Sequence, residues 1–389
     1  MMFAPRQAHG WETQLPAAGS RLPAEISCTV DEITDYATFV GLEREWNDTV
    51  RRAGIPHPFL RHEWVRTWWD AFGAGFKLHI LVVRADNRII AIAPLMRDTA
   101  QMYGFTARRF RFISNDHTPR TDVIVAERPA DAYRAIWTTL RQRRDQWDML
   151  KLSQLPSESP THTFFSGLAA ADGSLTAVWR SGDSPYLTLA GTWETYFNGL
   201  PAKFRSNLRN RLSRLTKVGE PSLEVLSDPE AIRAACDDVC RLEDSGWKRE
   251  AGTAITSDPA VKRFYADLID AAKDAGWLRL LFLTVGGRRI ATSYGAVFDN
   301  RLFLFKTGYD PEFAGCSPFK LLTYFAIQHA FTCGLAEVDF LGDAEPWKLE
   351  WTSTTRGHDW LYVFADSRRA RFLHQIKFQW VPELKRWRA

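Results

Sequence analysis

Cysteine is scarce in this sequence, long apolar runs are absent and the net charge is small. The five cysteines, at positions 28, 236, 240, 316 and 333, are too scattered for a disulfide framework, so we expect reduced thiols. No segment approaches the roughly 18 consecutive apolar residues that a membrane-spanning helix needs, and the first thirty residues lack the apolar core of a secretory signal. The 50 Lys and Arg exceed the 46 Asp and Glu by four, too few to require a nucleic acid or an anionic membrane as obligate partner. We therefore expect a cytosolic protein without membrane insertion.

Several motifs of well-known enzyme classes are also missing. There is no HExxH pair, and no second Cys or His pair stands near Cys236 and Cys240 to complete four zinc ligands. There is no P-loop and no GxSxG elbow, and the glycines at 73 and 75 precede a strand instead of following one. The sequence thus argues against zinc hydrolases, P-loop enzymes, dinucleotide-binding enzymes and α/β-hydrolases, and it predicts no metal.

What the sequence does contain is an internal repeat. An offset of 200 residues places 78–91 over 278–291. Each segment reads as an apolar strand, a two-residue turn, an Arg and a second apolar strand, and the turns are Asp86-Asn87 and Gly286-Gly287. The repeat predicts that one hairpin is used twice.

The apolar pattern around the hairpins predicts similar elements in both halves. In the second half we predict strands at 278–285, 289–298, 301–307, 336–341 and 360–365, and helices at 318–333 and 369–380. In the first half we predict strands at 109–113, 121–125 and 148–152, and a helix at 129–144. The predicted fold is α/β (α+β), with two domains of one kind, each a mixed, mostly antiparallel sheet flanked by helices.

The predicted domain limits follow from composition. Residues 153–182 are rich in Ser, Thr, Pro and Gly and are interpreted as a surface connection. We place a loosely ordered lead-in at 1–30, a first domain at 31–185 and a second domain at 186–389.

One loop, at 309–320, lies between a predicted strand and a predicted helix. Ser317 is a good N-cap residue and Pro318 a good first helical residue, with Gly315 just before them. Backbone N–H groups at such a helix start hold phosphate or pyrophosphate, and Lys320 could add charge, although a plain capped helix would give the same pattern. The equivalent junction in the first half has no Gly and carries the acids Glu127 and Asp131. A cradle of this kind suits the pantetheine–pyrophosphate arm of coenzyme A, and only the second half offers one.

Four stretches in order, at 203–211, 243–248, 309–320 and 339–348, resemble the GNAT acyltransferase superfamily. They are most similar to the CelD-like branch, of cellulose and exopolysaccharide biosynthesis, which is related to the Fem peptidyltransferases. The similarity covers about 190–365, and the first half resembles a degenerate leading GNAT-like domain. It implies transfer of an acyl group from acetyl-CoA or another acyl-CoA to an amine or hydroxyl of a small molecule or saccharide. The common Arg/Gln-x-x-Gly-x-Gly/Ala signature is absent, and Phe319 replaces a small residue of the branch, which leaves the acyl carrier open.

The candidate site residues follow from the resemblance and from the chemistry of acyl transfer. Asp343 and Glu243 are candidate bases or acceptor ligands, Lys348 could stabilise negative charge, and Tyr309 could protonate a thiolate. Each also has a structural reading, as a cap, a solvated charge or a packed ring. The candidate cofactor-binding residues are Gly315, Ser317, Pro318, Phe319 and Lys320, and the candidate substrate-binding residues are Trp247, Lys248, Trp347, Arg205 and Arg209.

Two rival functions remain open. Residues 201–219 contain six Lys and Arg and no Asp or Glu. This basic stretch could bind a phosphate or a tRNA-linked donor as in the Fem relatives, or it is a solvated helix face. A non-catalytic assembly protein for an exopolysaccharide machine is the second rival. In the favoured interpretation the second half binds the donor, the acceptor lies between the halves, and the first half is a scaffold.

Overall fold

Strands and helices follow one another in two successive halves of the chain. The computed structural model describes residues 28–245 and 255–380. The strands of the first half are β1 (Thr29–Ile33), β2 (Lys77–Leu78), β3 (Ile80–Ala85), β4 (Arg88–Ala93), β5 (Leu95–Met102), β6 (Phe105–Phe112), β7 (Ile124–Val125), β8 (Met149–Pro156) and β9 (Leu175–Thr188). Its helices are α1 (Tyr36–Gly41), α2 (Glu43–Arg52), α3 (His62–Phe72), α4 (Pro129–Gln142) and α5 (Pro160–Ala171), with a 3-10 turn at Pro58–Leu60.

The second half has the same kind of element order. Its strands are β10 (Pro221–Leu226), β11 (Leu278–Val285), β12 (Arg288–Phe298), β13 (Arg301–Tyr309), β14 (Glu337–Asp339) and β15 (Thr355–Phe364). Its helices are α6 (Trp193–Gly199), α7 (Ala202–Thr216), α8 (Pro229–Ala234), α9 (Cys236–Glu243), α10 (Pro259–Ala271), α11 (Pro318–Thr332), α12 (Pro346–Leu349) and α13 (Arg368–Gln375), with 3-10 turns at Ile255–Ser257 and Pro311–Cys316 and a π-helical turn at Ile376–Trp380. Within the described ranges, no helix has the length and the apolar composition to cross a bilayer.

The repeated hairpin is present in both halves, as β3–β4 and β11–β12. Both turns have two residues with positive φ, which are Asp86 (50°) and Asn87 (62°) in the first, and Gly286 (55°) and Gly287 (80°) in the second. Such turns match the natural twist of a hairpin. Even the β-bulges correspond, since the register shifts between Val83 and Arg84 in one hairpin and between Leu283 and Thr284 in the other. The predicted fold class, tandem mixed sheets flanked by helices, is confirmed.

The two halves exchange their last strands. One sheet has the order β1-β3-β4-β7, and the other has the order β10-β11-β12-β13-β14-β9-β15-β8-β6-β5-β2. The end of β9, from the first half, pairs with β14 of the second, whereas β15, from the second half, pairs with β8 of the first. β9 and β15 also pair with each other. The domain boundary that we placed at 185 therefore falls inside β9. β1 begins within the lead-in that we placed at 1–30, of which residues 1–27 lie outside the described residues.

The prediction of a surface connection at 153–182 is wrong. This segment holds the end of β8, all of α5 and most of β9. Ser159 caps α5 by accepting a hydrogen bond from the Thr161 N–H (3.1 Å), and Pro160 is the first helical residue. The Ser and Pro that suggested a loop are thus the start signal of a helix.

Aromatic side chains join the two halves into one core. Trp64 and Trp68 of α3 are both buried, and the Trp64 ring contacts the rings of Phe264 (5.4 Å) and Trp277 (6.1 Å) from the second half. Trp64 therefore packs at the contact between the two halves.

A buried network of charges crosses the same interface. The Arg120 guanidinium donates to Asp339 Oδ2 (2.5 Å) and to His358 Nε2 (3.2 Å), and Asp339 also accepts from Arg356 (2.7 Å). Arg356 is in turn paired with Glu337 (2.9 Å). Because His358 Nε2 accepts a hydrogen bond from a cation, the imidazole is held in its neutral form.

This arrangement predicts that the free energy of unfolding decreases as the pH decreases. Burial, with Arg120 close by, lowers the pKa of His358 to about 4. The folded-state pKa then lies below the unfolded one, so stability is complete above about pH 6.5 and is lost as pH falls toward 4, by up to about 3 kcal/mol. Urea unfolding of the wild type and of His358→Gln across this range measures the effect. Gln can still accept from Arg120 but does not titrate, so an equal pH dependence in both proteins would contradict the assignment.

Candidate active site

Two parallel strands separate at the centre of the second half. β13 and β14 pair only at Arg301–Phe303 and Glu337–Asp339. Beyond that point Leu341 (φ 53°) and Gly342 (φ 58°) turn the chain away from β13, and the Leu341 N–H is held by Asp339 Oδ1 (3.0 Å). β13 continues to Tyr309. In the described part of the chain, no strand pairs with this edge of residues 304–309.

A cavity of about 810 Å³ occupies the split and is lined by both halves. The lining residues of the first half are Asp116, His117, Pro119, Gln154, Ser181, Gly182 and Ser184. Those of the second half include residues 304–309 of β13, Asp258, Phe319, residues 340–343 and Glu345. The first half is thus more than a scaffold, because it supplies one wall.

Five residues singled out in the sequence meet in this cavity, which are Tyr309, Phe319, Asp343, Trp347 and Lys348. The Phe319 and Trp347 rings pack edge to face with centroids 4.5 Å apart. They come from the start of α11 and from α12, so the two helices and the loop between β14 and α12 form one wall.

Lys348 ties that loop together. Its side chain is 7% exposed, and Nζ donates to the carbonyl oxygens of Leu341 (2.8 Å) and Asp343 (2.9 Å). An ion pair with Glu345 (3.0 Å) completes the set. All three N–H donors of an ammonium group are therefore directed at the loop. In this geometry Lys348 positions the loop and has no donor left for a reacting oxygen.

Asp343 and Glu243 differ in their access to the cavity. Asp343 is exposed and lines it, and its Oδ1 lies 2.5 Å from where a Cβ on Gly182 would stand, so Gly182 allows the close approach of β9. Glu243 is 1% exposed and accepts from the Ile255 N–H (2.5 Å). A Cβ on Gly308 would meet the Glu243 Cα at 2.5 Å, which places Glu243 behind β13 and outside the lining.

The start of α11 does not use a conventional cap. Ser317 has the left-handed conformation (φ 49°) and its side chain makes no capping hydrogen bond. The first half repeats this geometry at Arg128 (φ 50°), which also precedes a proline. Because Pro318 has no N–H, the N–H groups of Phe319 and Lys320 are the first ones without helical acceptors.

The predicted cofactor-binding residues Lys320, Gly315 and Pro318 do not line the cavity. The Lys320 ammonium pairs with Glu350 and does not line the cavity. Gly315 does not have a positive φ, and a Cβ there would meet no atom within 4 Å. This position therefore does not require glycine. Pro318 is buried.

The predicted substrate-binding residues of α7 are held within their own half. Arg205 donates to the Leu200 carbonyl (3.0 Å), and the Arg209 guanidinium lies over the Phe197 ring (5.5 Å). Neither lines the cavity. Trp247 and Lys248 lie outside the described residues.

Sequence reasoning missed His117 and Lys306, which both line the cavity. The His117 Nδ1 is 3.4 Å from the Tyr265 hydroxyl, and burial together with Lys306 lowers the pKa of His117 to about 4. Asp116 and Asp258 are also close enough to affect it. His117 follows β6 in a polar loop of the half that we took for a scaffold, so nothing in the sequence marked it. Among the described residues, no cluster of His, Cys, Asp and Glu is arranged to hold a metal ion.

Comparisons with known proteins agree with this architecture. Residues 202–349 match the model of a family described as acetyltransferase (GNAT) domain. A search among curated proteins finds no match. The structure is similar to FemX, with 12% identity, 90% of this chain and 100% of that chain covered, and a TM-score of 0.56. It is also similar to the C-terminal domain of a protein described as a lysylphosphatidylglycerol synthetase from Agrobacterium fabrum, with 12% identity, coverage of 86% and 95%, and a TM-score of 0.52.

These findings define the class of protein. At such identities the two structures indicate a shared fold alone, whereas the family model identifies a GNAT-type acetyltransferase domain in the second half. The chain thus contains an acetyltransferase (GNAT) domain at residues 202–349, which supports an acyltransferase activity. The CelD-like branch is not confirmed and stays a prediction.

Proposed function

We propose that this protein transfers an acyl group from coenzyme A to an amine or hydroxyl of an acceptor bound between the two halves. The observation that carries the proposal is the cavity in the split between β13 and β14, which residues 304–309 of β13 line. A pantetheine arm contains amide groups, which can pair with the edge of a strand as another strand would. The N–H groups at the start of α11 lie at one end of this edge and suit the pyrophosphate.

The lining residues can divide the chemistry of acyl transfer among them. The acceptor nitrogen or oxygen attacks the thioester carbon, the C–S bond breaks, and the acceptor loses a proton while the thiolate gains one. Asp343 is exposed in the cavity and is our candidate to take the proton. Tyr309, the last residue of β13, is our candidate to protonate the thiolate. Backbone N–H groups of β13 are candidate donors to the developing oxyanion.

The charges around the acceptor wall favour an amine over a hydroxyl. Asp116, Asp258 and Asp343 line the cavity together with Lys306, whereas the Lys348 charge is used within its own loop. Carboxylates attract an ammonium group and raise its local concentration. An exopolysaccharide or cellulose precursor as acceptor is the finer form of the proposal. It rests on the sequence stretches that resemble the CelD-like branch and on Trp347, whose ring could stack on a sugar.

Calorimetric titration with acetyl-CoA, a longer acyl-CoA and free coenzyme A tests the proposal, with ATP as a control for general phosphate binding. We expect saturable binding of the thioesters. Ser317→Ile should weaken this binding about tenfold, because a β-branched residue is strained in the left-handed conformation that starts α11. Ser317→Gly should bind as the wild type does, because glycine adopts this conformation without strain.

Other results would overturn the proposal. Absence of binding to any thioester would reject coenzyme A as the carrier. Binding of aminoacyl-tRNA that weakens steeply with salt would instead support a Fem-like transferase. Saccharide binding with no donor at all would support an assembly protein without catalysis.

A further inference from the structure

The C-terminal end of this chain is strongly basic, as is the stretch at 201–219. Residues 366–389 contain seven Lys and Arg and only two acids, Asp366 and Glu383, a net charge of +5. The whole chain has a formal net charge of +4. The remaining 365 residues are therefore close to neutral, and the mild overall balance conceals a strongly basic segment.

An exposed, strained hairpin tip lies beside that segment. The turn between β5 and β6 is Tyr103-Gly104, and Tyr103 has a φ of 51°. A bulky aromatic residue is rare in this conformation, which Asn or Gly would adopt at lower energy. Tyr103 is nevertheless 48% exposed, and its neighbour Phe105 is 46% exposed. Folding does not explain an aromatic residue at this position, because the ring is not buried in return.

Exposed rings continue from the hairpin tip onto the C-terminal helix. The Phe105 ring packs against Phe372 of α13 (5.2 Å), and Phe372 packs against Trp380 (5.8 Å). Phe372 and Trp380 are 36% and 46% exposed. We call Tyr103, Phe105, Phe372 and Trp380 the aromatic patch. It contains four of the nine large apolar side chains that are exposed in the described residues.

Basic side chains of α13 lie around the aromatic patch. Arg368, Arg369 and Arg371 are all exposed. The Arg369 guanidinium donates to the Thr106 carbonyl, next to Phe105, and so joins α13 to the hairpin. Arg371 pairs with Asp366 (2.7 Å), while no acidic partner of Arg368 is present among the described residues.

We propose that the aromatic patch and the basic residues of α13 dock this protein on the surface of an anionic lipid membrane. Aromatic rings at a hairpin tip and on one helix face can enter the interfacial region, where Trp and Tyr are favoured, while the arginines contact anionic headgroups. Nucleic acid fits less well, because it is bound by stacking on free ring faces. Here the rings pack edge to face on one another, at interplanar angles of 90° and 84°.

The docking surface is far from the cavity. β6 extends for eight residues from the aromatic patch, and His117 of the cavity follows its other end. At about 3.3 Å per residue, the two sites are roughly 25 Å apart. Docking therefore leaves the cavity accessible, and its test does not depend on the acyl donor or the acceptor.

Co-sedimentation of the full chain with vesicles tests the proposal. We expect binding to vesicles of phosphatidylcholine mixed with phosphatidylglycerol, and about tenfold weaker binding to phosphatidylcholine alone or at high salt. Tyr103→Asn and Arg368→Glu should each lower binding to the anionic vesicles about tenfold. Tyr103→Asn is informative in addition because Asn suits the turn, so the variant should be at least as stable as the wild type while binding less.

Matched substitutions elsewhere provide the controls. Arg44→Glu reverses the charge of another exposed arginine, and Trp179→Ser removes another exposed aromatic ring. Both should bind anionic vesicles as the wild type does. Equal loss in these controls, equal binding to neutral vesicles, or no binding to anionic vesicles would overturn the proposal. So would a wild type that binds an RNA oligonucleotide but no vesicle, or a dimer that Tyr103→Asn makes monomeric and that binds no vesicle.

Discussion

Replacing Lys348 by Ala should abolish most of the turnover while leaving donor binding nearly intact. The ammonium group holds the carbonyl oxygens of Leu341 and Asp343 and the carboxylate of Glu345. Without it the loop between β14 and α12 loses its internal tie, and Asp343 is no longer fixed in the cavity. Misplacement of a reacting group by about 1 Å can lower a rate by about 10²-fold, and we expect a fall in kcat of that size. Residues 304–309 of β13 are not changed, so the affinity for a thioester should change little.

Lys348→Ala should also lower the free energy of unfolding. Loss of a residue that acted only in the chemical step would not have this effect. Removal of the donor leaves the buried Leu341 carbonyl without a partner, a loss of about 1–3 kcal/mol. Lys348→Met keeps the apolar stem and tests the charge alone, and Lys262→Ala removes an exposed lysine as a control. Steady-state kinetics and urea unfolding of the three variants check the prediction. Full activity in Lys348→Met would show that the ammonium group does not position the site.

Replacing Asp339 by Asn should destabilise the whole protein by about 3–5 kcal/mol. Asp339 is fully buried and accepts hydrogen bonds from Arg120 and Arg356. An amide removes the negative charge between two guanidinium groups. Arg356 keeps its pair with Glu337, but the buried Arg120 loses the carboxylate that compensates its charge. Because Asp339 also holds the Leu341 N–H, the turn that opens the split between β13 and β14 should be disturbed as well.

A matched Asp-to-Asn change gives the control for this prediction. Asp299 pairs with Arg301 (2.7 Å) and its side chain is 59% exposed. Exposed ion pairs contribute little, and Asn tolerates the positive φ of this position, so Asp299→Asn should change stability by less than about 1 kcal/mol. Urea unfolding compares the two variants. A similar small effect at both positions would mean that the buried network does not stabilise the contact between the halves.

Local features of this fold could be predicted from the sequence because they are written in neighbouring residues. The two-residue turns at Asp86-Asn87 and Gly286-Gly287 gave both hairpins, since only a few residue pairs favour positive φ. The helix over 318–333 was visible in its proline start and apolar stripe, and it ends at Thr332. Of the candidate site residues, Tyr309, Phe319, Asp343, Trp347 and Lys348 line one cavity, and their part in catalysis stays a prediction.

Features that depend on distant contacts could not be predicted. The apolar pattern of β15 marks it as a strand, but nothing in that pattern states that β8 of the other half is its partner. His117 reaches the cavity only because the first half folds against the second, so its local sequence carries no signal. Lys320 has the position expected for a phosphate ligand, yet Glu350, thirty residues further on, pairs with it.

β9 of the first half pairs with β14 of the second, and β15 of the second half pairs with β8 of the first. The two halves of this chain therefore exchange strands as the subunits of a domain-swapped dimer do. Neither arm can be removed without leaving the other half with an open sheet edge, which invites aggregation. A fragment that ends before β9, or one that begins after it, thus lacks a strand that its own sheet requires. The second half therefore depends on the first for its folding. The first half is required in this way even though it has no glycine-containing loop at a helix start like that of α11.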